Sequence, residues 1–126
     1  DLKVEIETNA TKLPSEKLRA WPLQYNVSPK LSGSAVPEKL RIKPSVLAAF
    51  VNESRAYFKF VIKQKSELLE VKELVKSMGI PRERIWLMPC GVNVDQLDAT
   101  LRWLKPEAHL WSVKVSDRLH IRENIP

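Results

Sequence analysis

YFKFVIKQKSELLEVKELVKSMGIPRERIWLMP, running from Tyr57 to Pro89, holds two strand patterns separated by one helix pattern. Tyr57–Lys63 is dense in aromatic and β-branched residues, which suit a pleated, half-buried surface. Leu68, Val71, Val75 and Met78 then recur at helical spacing and share one face. Ser66 stands where it can cap that helix. Gly79 is placed to end it in a left-handed conformation, with Pro81 just beyond. Ile85–Met88 is the next strand, stopped by Pro89. Strand, helix, strand at this spacing is a βαβ unit and predicts a parallel sheet.

The same alternation extends outward in both directions. Upstream, Leu2–Thr8 sets Leu2, Val4, Ile6 and Thr8 against Lys3, Glu5 and Glu7, a strand ending at the polar turn Asn9–Thr11. Ser15–Ala20 reads as a short helical turn before Pro22, and Gln24–Val27 as a second strand stopped by Ser28 and Pro29. A polar loop, Leu31–Lys43, leads to Pro44, whose missing N–H suits the first position of a helix reaching about Arg55. Downstream, Asn93 can cap a helix carrying Val94, Leu97, Leu101 and Leu104 on one face, and Pro106 closes it. Trp111, Val113 and Val115 alternate with polar residues, so Leu110–Ile121 reads as a last strand running into an irregular tail. About five strands and at least three helices result, in one α/β unit spanning residues 1–126.

Composition narrows the function classes. The apolar fraction of 44% is enough for a core, and no run approaches the roughly 18 apolar residues of a membrane span. The chain opens with Asp1 and shows no signal-peptide pattern. Cys90 is the single cysteine, which rules out an internal disulfide framework and points to the cytoplasm. With only His109 and His120 beside it, this chain alone is a poor candidate for holding a metal or an iron–sulfur cluster. The net charge of +6 suits an anionic partner, but the charges are dispersed and no aromatic residues interleave with a basic stripe. A solvated basic surface is the plain reading, and nucleic acid is not an expected partner.

Parallel strands flanked by helices present their ligand loops at the strand C-termini. Those ends are Thr8–Thr11, Ser28–Lys30, Lys63–Gln64, Met88–Gly91 and Ser116–His120. Glu7-Thr8-Asn9-Ala10-Thr11 offers hydroxyl and amide groups that also make Asx or Ser/Thr turns. Ser28-Pro29-Lys30 offers a donor and a cation to a carboxylate or to ribose hydroxyls. Met88-Pro89-Cys90-Gly91 makes a tight turn whose backbone can approach a flat ring closely. Lys59 and Lys63 face either the barrel interior or, the favoured reading, a wet face, and Trp86, Trp103 and Trp111 read as packing residues.

Taken in order, these segments resemble a known family. Ile6-Glu7-Thr8-Asn9, Val27-Ser28-Pro29-Lys30-Leu31, Phe58-Lys59-Phe60-Val61, Gly79-Ile80-Pro81, Ile85-Trp86-Leu87-Met88-Pro89 and Arg118-Leu119-His120 are similar to the 7-carboxy-7-deazaguanine synthases, from about Leu2 to Pro126. That family consists of radical S-adenosylmethionine enzymes of queuosine and deazapurine biosynthesis. The resemblance implies the C-terminal portion of a partial, six-stranded (β/α) TIM-like barrel. It implies conversion of 6-carboxy-5,6,7,8-tetrahydropterin to 7-carboxy-7-deazaguanine, with S-adenosylmethionine, a 4Fe-4S cluster and Mg2+ as cofactors. The pterin is then the partner molecule, no membrane is expected, and the homodimers frequent in the family remain open.

Carried over residue by residue, Thr8 matches a threonine that contacts the pterin. Ala10 stands where the family usually has a glycine against S-adenosylmethionine. Ser28, Pro29 and Lys30 match a second contact segment for that cofactor, and Met88, Pro89, Cys90 and Gly91 a third. Pro126 resembles a C-terminal proline whose chain-end carboxylate reaches the substrate. Ala10 and Cys90 depart from the family's glycine and glutamate. The family's Cys-x3-Cys-x2-Cys loop and Gly-Gly-Glu-Pro segment are not in this chain, so cluster and Mg2+ ligands are expected in an N-terminal half outside it, and no residue here is assigned as catalytic. Two functions follow: a synthase fragment inactive by itself, or a non-catalytic half-barrel module for a nucleoside-like ligand. A half-barrel would expose two sheet edges and an uncovered apolar face, which favours the fragment.

Overall fold

The computed structural model describes residues 4–13, 23–32, 37–91 and 93–115. Five strands, β1 (Val4–Thr8), β2 (Leu23–Val27), β3 (Ala56–Ile62), β4 (Ile85–Pro89) and β5 (Lys114–Val115), form one sheet. Every pairing is parallel and the strand order follows the sequence, β1-β2-β3-β4-β5. A sequential order matters because right-handed crossovers then put every helix on one face of the sheet. That is the winding of a barrel wall; a doubly wound sheet reverses its order partway.

The helices are α1 (Glu38–Arg41, a single turn), α2 (Pro44–Val51), α3 (Lys65–Met78) and α4 (Val94–Trp111). Their apolar stripes meet one face of the strands. Phe58, Phe60 and Ile62 of β3 and Ile85 and Leu87 of β4 are fully buried with Val71 of α3 and Leu104 of α4. Trp103 and Trp111 pack against this core, as expected of them. The opposite face differs. Tyr57, Lys59 and Val61 alternate with the core positions of β3 and are half-exposed, as are Trp86 and Met88 of β4. Glu7, Gln24 and Asn26 fall on that same face by register.

This corrects two expectations. The less covered face is not simply apolar: Gln24 Nε2 donates to Asn26 Oδ1 at 3.0 Å, Asn26 Nδ2 to Glu7 Oε1 at 3.4 Å, and Lys59 Nζ lies 3.9 Å from Glu7. Trp86, read as a packing residue, does not pack on the helix-covered core; it is half-buried on this face with Lys114 Nζ 5.1 Å from its ring centre.

Several element ends also differ from expectation. α2 stops at Val51, because Glu53 folds the next residues into a turn by accepting from Arg55 N at 3.1 Å and Arg55 Nε at 2.8 Å. The Glu53 carboxylate thereby holds the Arg55 guanidinium above its ordinary pKa. Gln64, not Ser66, caps α3, while the buried Glu67 reaches back to accept from Lys63 N at 2.8 Å and Gln64 N at 3.2 Å. Gly79 ends α3 in the left-handed region as predicted, with φ 68°. α1 occupies part of the stretch read as loop, and α4 runs through Pro106 to Trp111, so the last strand shrinks to Lys114–Val115 among the described residues. Ser15–Ala20 and the tail from Ser116 lie outside the described residues.

One core group is out of balance. Tyr25 is buried edge-on to Phe50, with ring centres 5.6 Å apart, and among the described residues its hydroxyl has no hydrogen-bond partner. An unsatisfied buried hydroxyl costs free energy that its removal recovers. Tyr25→Phe is therefore expected to raise stability by about 1 kcal/mol, read as a higher urea midpoint at unchanged slope.

Candidate functional site

Because all strands run parallel, their C-terminal ends gather along one rim. Backbone bonds tie neighbouring ends together: Ser28 N donates to the Thr8 carbonyl at 2.7 Å, and Cys90 N to the Ile62 carbonyl at 2.9 Å. Two cavities open there. The larger, about 650 Å3, lies over β1 and β2 between Thr8, Asn9, Lys12, Ser28 and Lys30, with Glu7, Lys59 and Met88 at its floor. The smaller, about 270 Å3, lies over β2 to β4 between Pro29, Leu31, Val61, Lys63 and Cys90. Ser28 and Lys30 line both and form the wall between them.

The segments expected at this rim are there, but they divide their work. In the first, Asn9 Oδ1 accepts from Thr11 N at 3.3 Å and Thr11 Oγ1 at 2.8 Å, an Asx turn. Thr8 Oγ1 accepts from Ala10 N at 3.1 Å and lines the larger cavity, keeping its own O–H to donate. Ala10 is fully buried, lines neither cavity, and holds φ 65°. An L-residue with a Cβ sits there at a cost of roughly 1 kcal/mol that glycine would avoid.

In the third segment, Met88 faces the larger cavity and Cys90 the smaller, while Pro89 is buried at the end of β4. Gly91 does make a close approach, though not to a ligand space. A Cβ there would meet Gln96 Cβ at 3.0 Å and Leu97 N at 3.2 Å, so glycine is what lets β4 pass straight into α4. Asn93 completes that junction by accepting from Gln96 N at 2.9 Å. Gly91→Ala is expected to cost about 1–3 kcal/mol, checked by thermal unfolding. Pro126 and His120 lie outside the described residues.

Sequence reading missed the floor and one wall. Lys59, read as facing either the barrel interior or a wet surface, stands on the side of β3 away from the helices, its side chain 31% exposed beside Glu7. Lys63, Lys12 and Glu67 also border the cavities. Strand parity held the signal: Lys59 alternates with Phe58 and Phe60, and Glu7 with Ile6, so both must point away from the core. Four lysines, Lys12, Lys30, Lys59 and Lys63, thus border the rim with two carboxylates, Glu7 and the helix-capping Glu67. That balance favours a ligand carrying carboxylates or other acceptor oxygens. Among the described residues no group of three His, Cys, Asp or Glu side chains could hold a metal ion, and none of the helices is long and apolar enough to cross a membrane.

A singly wound parallel α/β sheet with lysine-bordered cavities at its strand ends is the architecture of a partial TIM-like barrel. The chain's relatives share one description. The chain is 33% identical over 118 residues to the 7-carboxy-7-deazaguanine synthase of Pyrobaculum aerophilum, covering 94% of this chain and 50% of that protein. It is 31% identical over 129 residues to that of Hyperthermus butylicus, covering 99% of the chain and 54% of the relative. For Rhodopirellula baltica the figures are 33% over 129 residues, 94% and 49%. The chain is a homologue of the 7-carboxy-7-deazaguanine synthases along almost its whole length, and it spans about half the length of these curated relatives. No protein-family model matches it, and neither does any solved structure.

Proposed function

We propose that this chain is the C-terminal half of a 7-carboxy-7-deazaguanine synthase, and that its strand ends hold S-adenosylmethionine beside the carboxypterin substrate. The observation that carries this reading is the position of Ser28-Pro29-Lys30 on the wall shared by both cavities. A hydroxyl and an ammonium at one strand end suit the carboxylate and ribose hydroxyls of the cofactor. The larger cavity, with Thr8 at its rim and Lys59 at its floor, suits a flat, carboxylated heterocycle. A small-molecule pocket of this kind also favours a metabolite over nucleic acid as the partner.

The cofactors fit unequally. S-adenosylmethionine fits the donors and cations present, and when bound with a reduced cluster it supplies the radical chemistry of such enzymes. A 4Fe-4S cluster does not fit this chain, whose only thiolate source is Cys90. Mg2+ likewise finds no set of carboxylates among the described residues. Both belong to residues beyond these, so the role of this chain is to bind and orient, and it is inactive alone. Titration of residues 1–126 with S-adenosylmethionine by calorimetry is expected to give weak binding or none, since half of the pocket is supplied elsewhere. Micromolar affinity would instead support a self-sufficient module for a nucleoside-like ligand.

A further inference from the structure

Arg41 is 8% exposed, an unusual place for a guanidinium on a single-turn helix. Its Nη1 donates to the Lys30 carbonyl at 3.3 Å and to Glu70 Oε2 at 3.0 Å. Glu70, on α3, accepts from Ser32 N at 3.1 Å on each oxygen and from Ser32 Oγ at 2.6 Å. The segment after β2 is therefore pinned at both ends. Ser28 N is bonded to the Thr8 carbonyl of β1, while the Lys30 carbonyl and Ser32 are bonded to Arg41 and Glu70. Between these anchors the Lys30 side chain reaches the two cavities.

We propose that Arg41 and Glu70 are positioning residues that clamp the Ser28-Pro29-Lys30 segment so that Lys30 and Ser28 meet the cofactor in one fixed geometry. The proposal deepens the reading of Ser28-Pro29-Lys30 as a cofactor contact and rests on it. An ion pair with Arg41 buried and Glu70 half-buried is a weak source of stability, because desolvation offsets much of the attraction. What this pair adds is direction: the single nitrogen Nη1 reaches the Lys30 carbonyl and the Glu70 carboxylate at once, so the segment and α3 are held to one point. Neither residue lines the cavities beside Lys30, so the pair acts through the segment it holds.

The test uses the intact protein with Lys30→Ala, Glu70→Gln and the double variant, and reads S-adenosylmethionine affinity by calorimetry. Glu70→Gln keeps an acceptor oxygen for Ser32 and removes the charge that holds Arg41. The clamp predicts roughly tenfold weaker binding from Glu70→Gln, and a double variant whose loss is smaller than the two single losses combined, since coupled groups fail to add. Arg41→Ala, which removes both bonds made by Nη1, should also weaken binding. If Lys30→Ala weakens binding and Glu70→Gln does not, or if the two losses add, the clamp is overturned while the contact reading stands. If Lys30→Ala changes nothing, the contact reading fails, and amide exchange then decides the clamp. Faster exchange at Ser32 in Glu70→Gln supports it, and unchanged exchange overturns it.

Discussion

Replacing Arg84 by alanine is expected to destabilise the chain by about 3 kcal/mol, lowering its melting temperature by on the order of 10 °C. Arg84 lies in the short 3-10 turn before β4. Its Nη1 donates to the carbonyls of Glu53 at 2.7 Å and Ala56 at 3.2 Å, and its Nη2 to Val51 at 2.5 Å. Val51 ends α2, where carbonyls lack helical partners, so one guanidinium closes a helix end, the turn after it and the start of β3. The Phe58 ring lies 5.8 Å from its Cζ and adds to the cost of truncation. Arg84→Lys should recover only part of the loss, because an ammonium cannot span all three carbonyls. Urea unfolding of both variants checks this; a loss below about 1 kcal/mol for the alanine variant contradicts it.

The second large effect is chemical. On the function proposed above, Lys30→Ala in the full-length synthase is expected to lower kcat/KM by about 100-fold, the loss of one charge-assisted contact to a bound anion. Lys30 is exposed, so its removal should leave the melting temperature nearly unchanged. If the loss sits in KM for S-adenosylmethionine, the contact is already made in the ground state. A variant with wild-type kinetics would remove Lys30 from the site.

What the sequence made legible follows from local chemistry. Strand parity and helical spacing at Tyr57–Pro89 place a parallel α/β sheet, and all three strand-end segments reach the rim. Gly79 marks the end of α3 because a left-handed residue is easiest for glycine. The end of α4 hides for the complementary reason: Ser112 takes the same role at φ 62° without being glycine. Val113 N then bonds the Ala108 carbonyl at 3.0 Å, just as Ile80 N bonds the Val75 carbonyl at 3.1 Å after α3. Pro106 misleads because proline normally breaks a helix at a cost of about 3 kcal/mol. Here burial of Leu104 and Ala108 against the core on either side of it outweighs that penalty. Arg41, Glu70 and Arg84 were illegible as partners, since their bonds join residues 11 to 38 positions apart and leave no local pattern.

We propose that these strand ends form the cofactor-holding half of a deazaguanine synthase. The most direct test is a chimera in which residues 1–126 replace the matched half of the Pyrobaculum aerophilum protein, with the cluster assembled anaerobically. Product formation from 6-carboxytetrahydropterin and S-adenosylmethionine is then followed by mass spectrometry. The chimera is expected to form 7-carboxy-7-deazaguanine, with a roughly 100-fold loss on Lys30→Ala. A folded, cluster-loaded chimera that neither binds S-adenosylmethionine nor forms product, even after Ala10→Gly relieves the strained backbone, would contradict it.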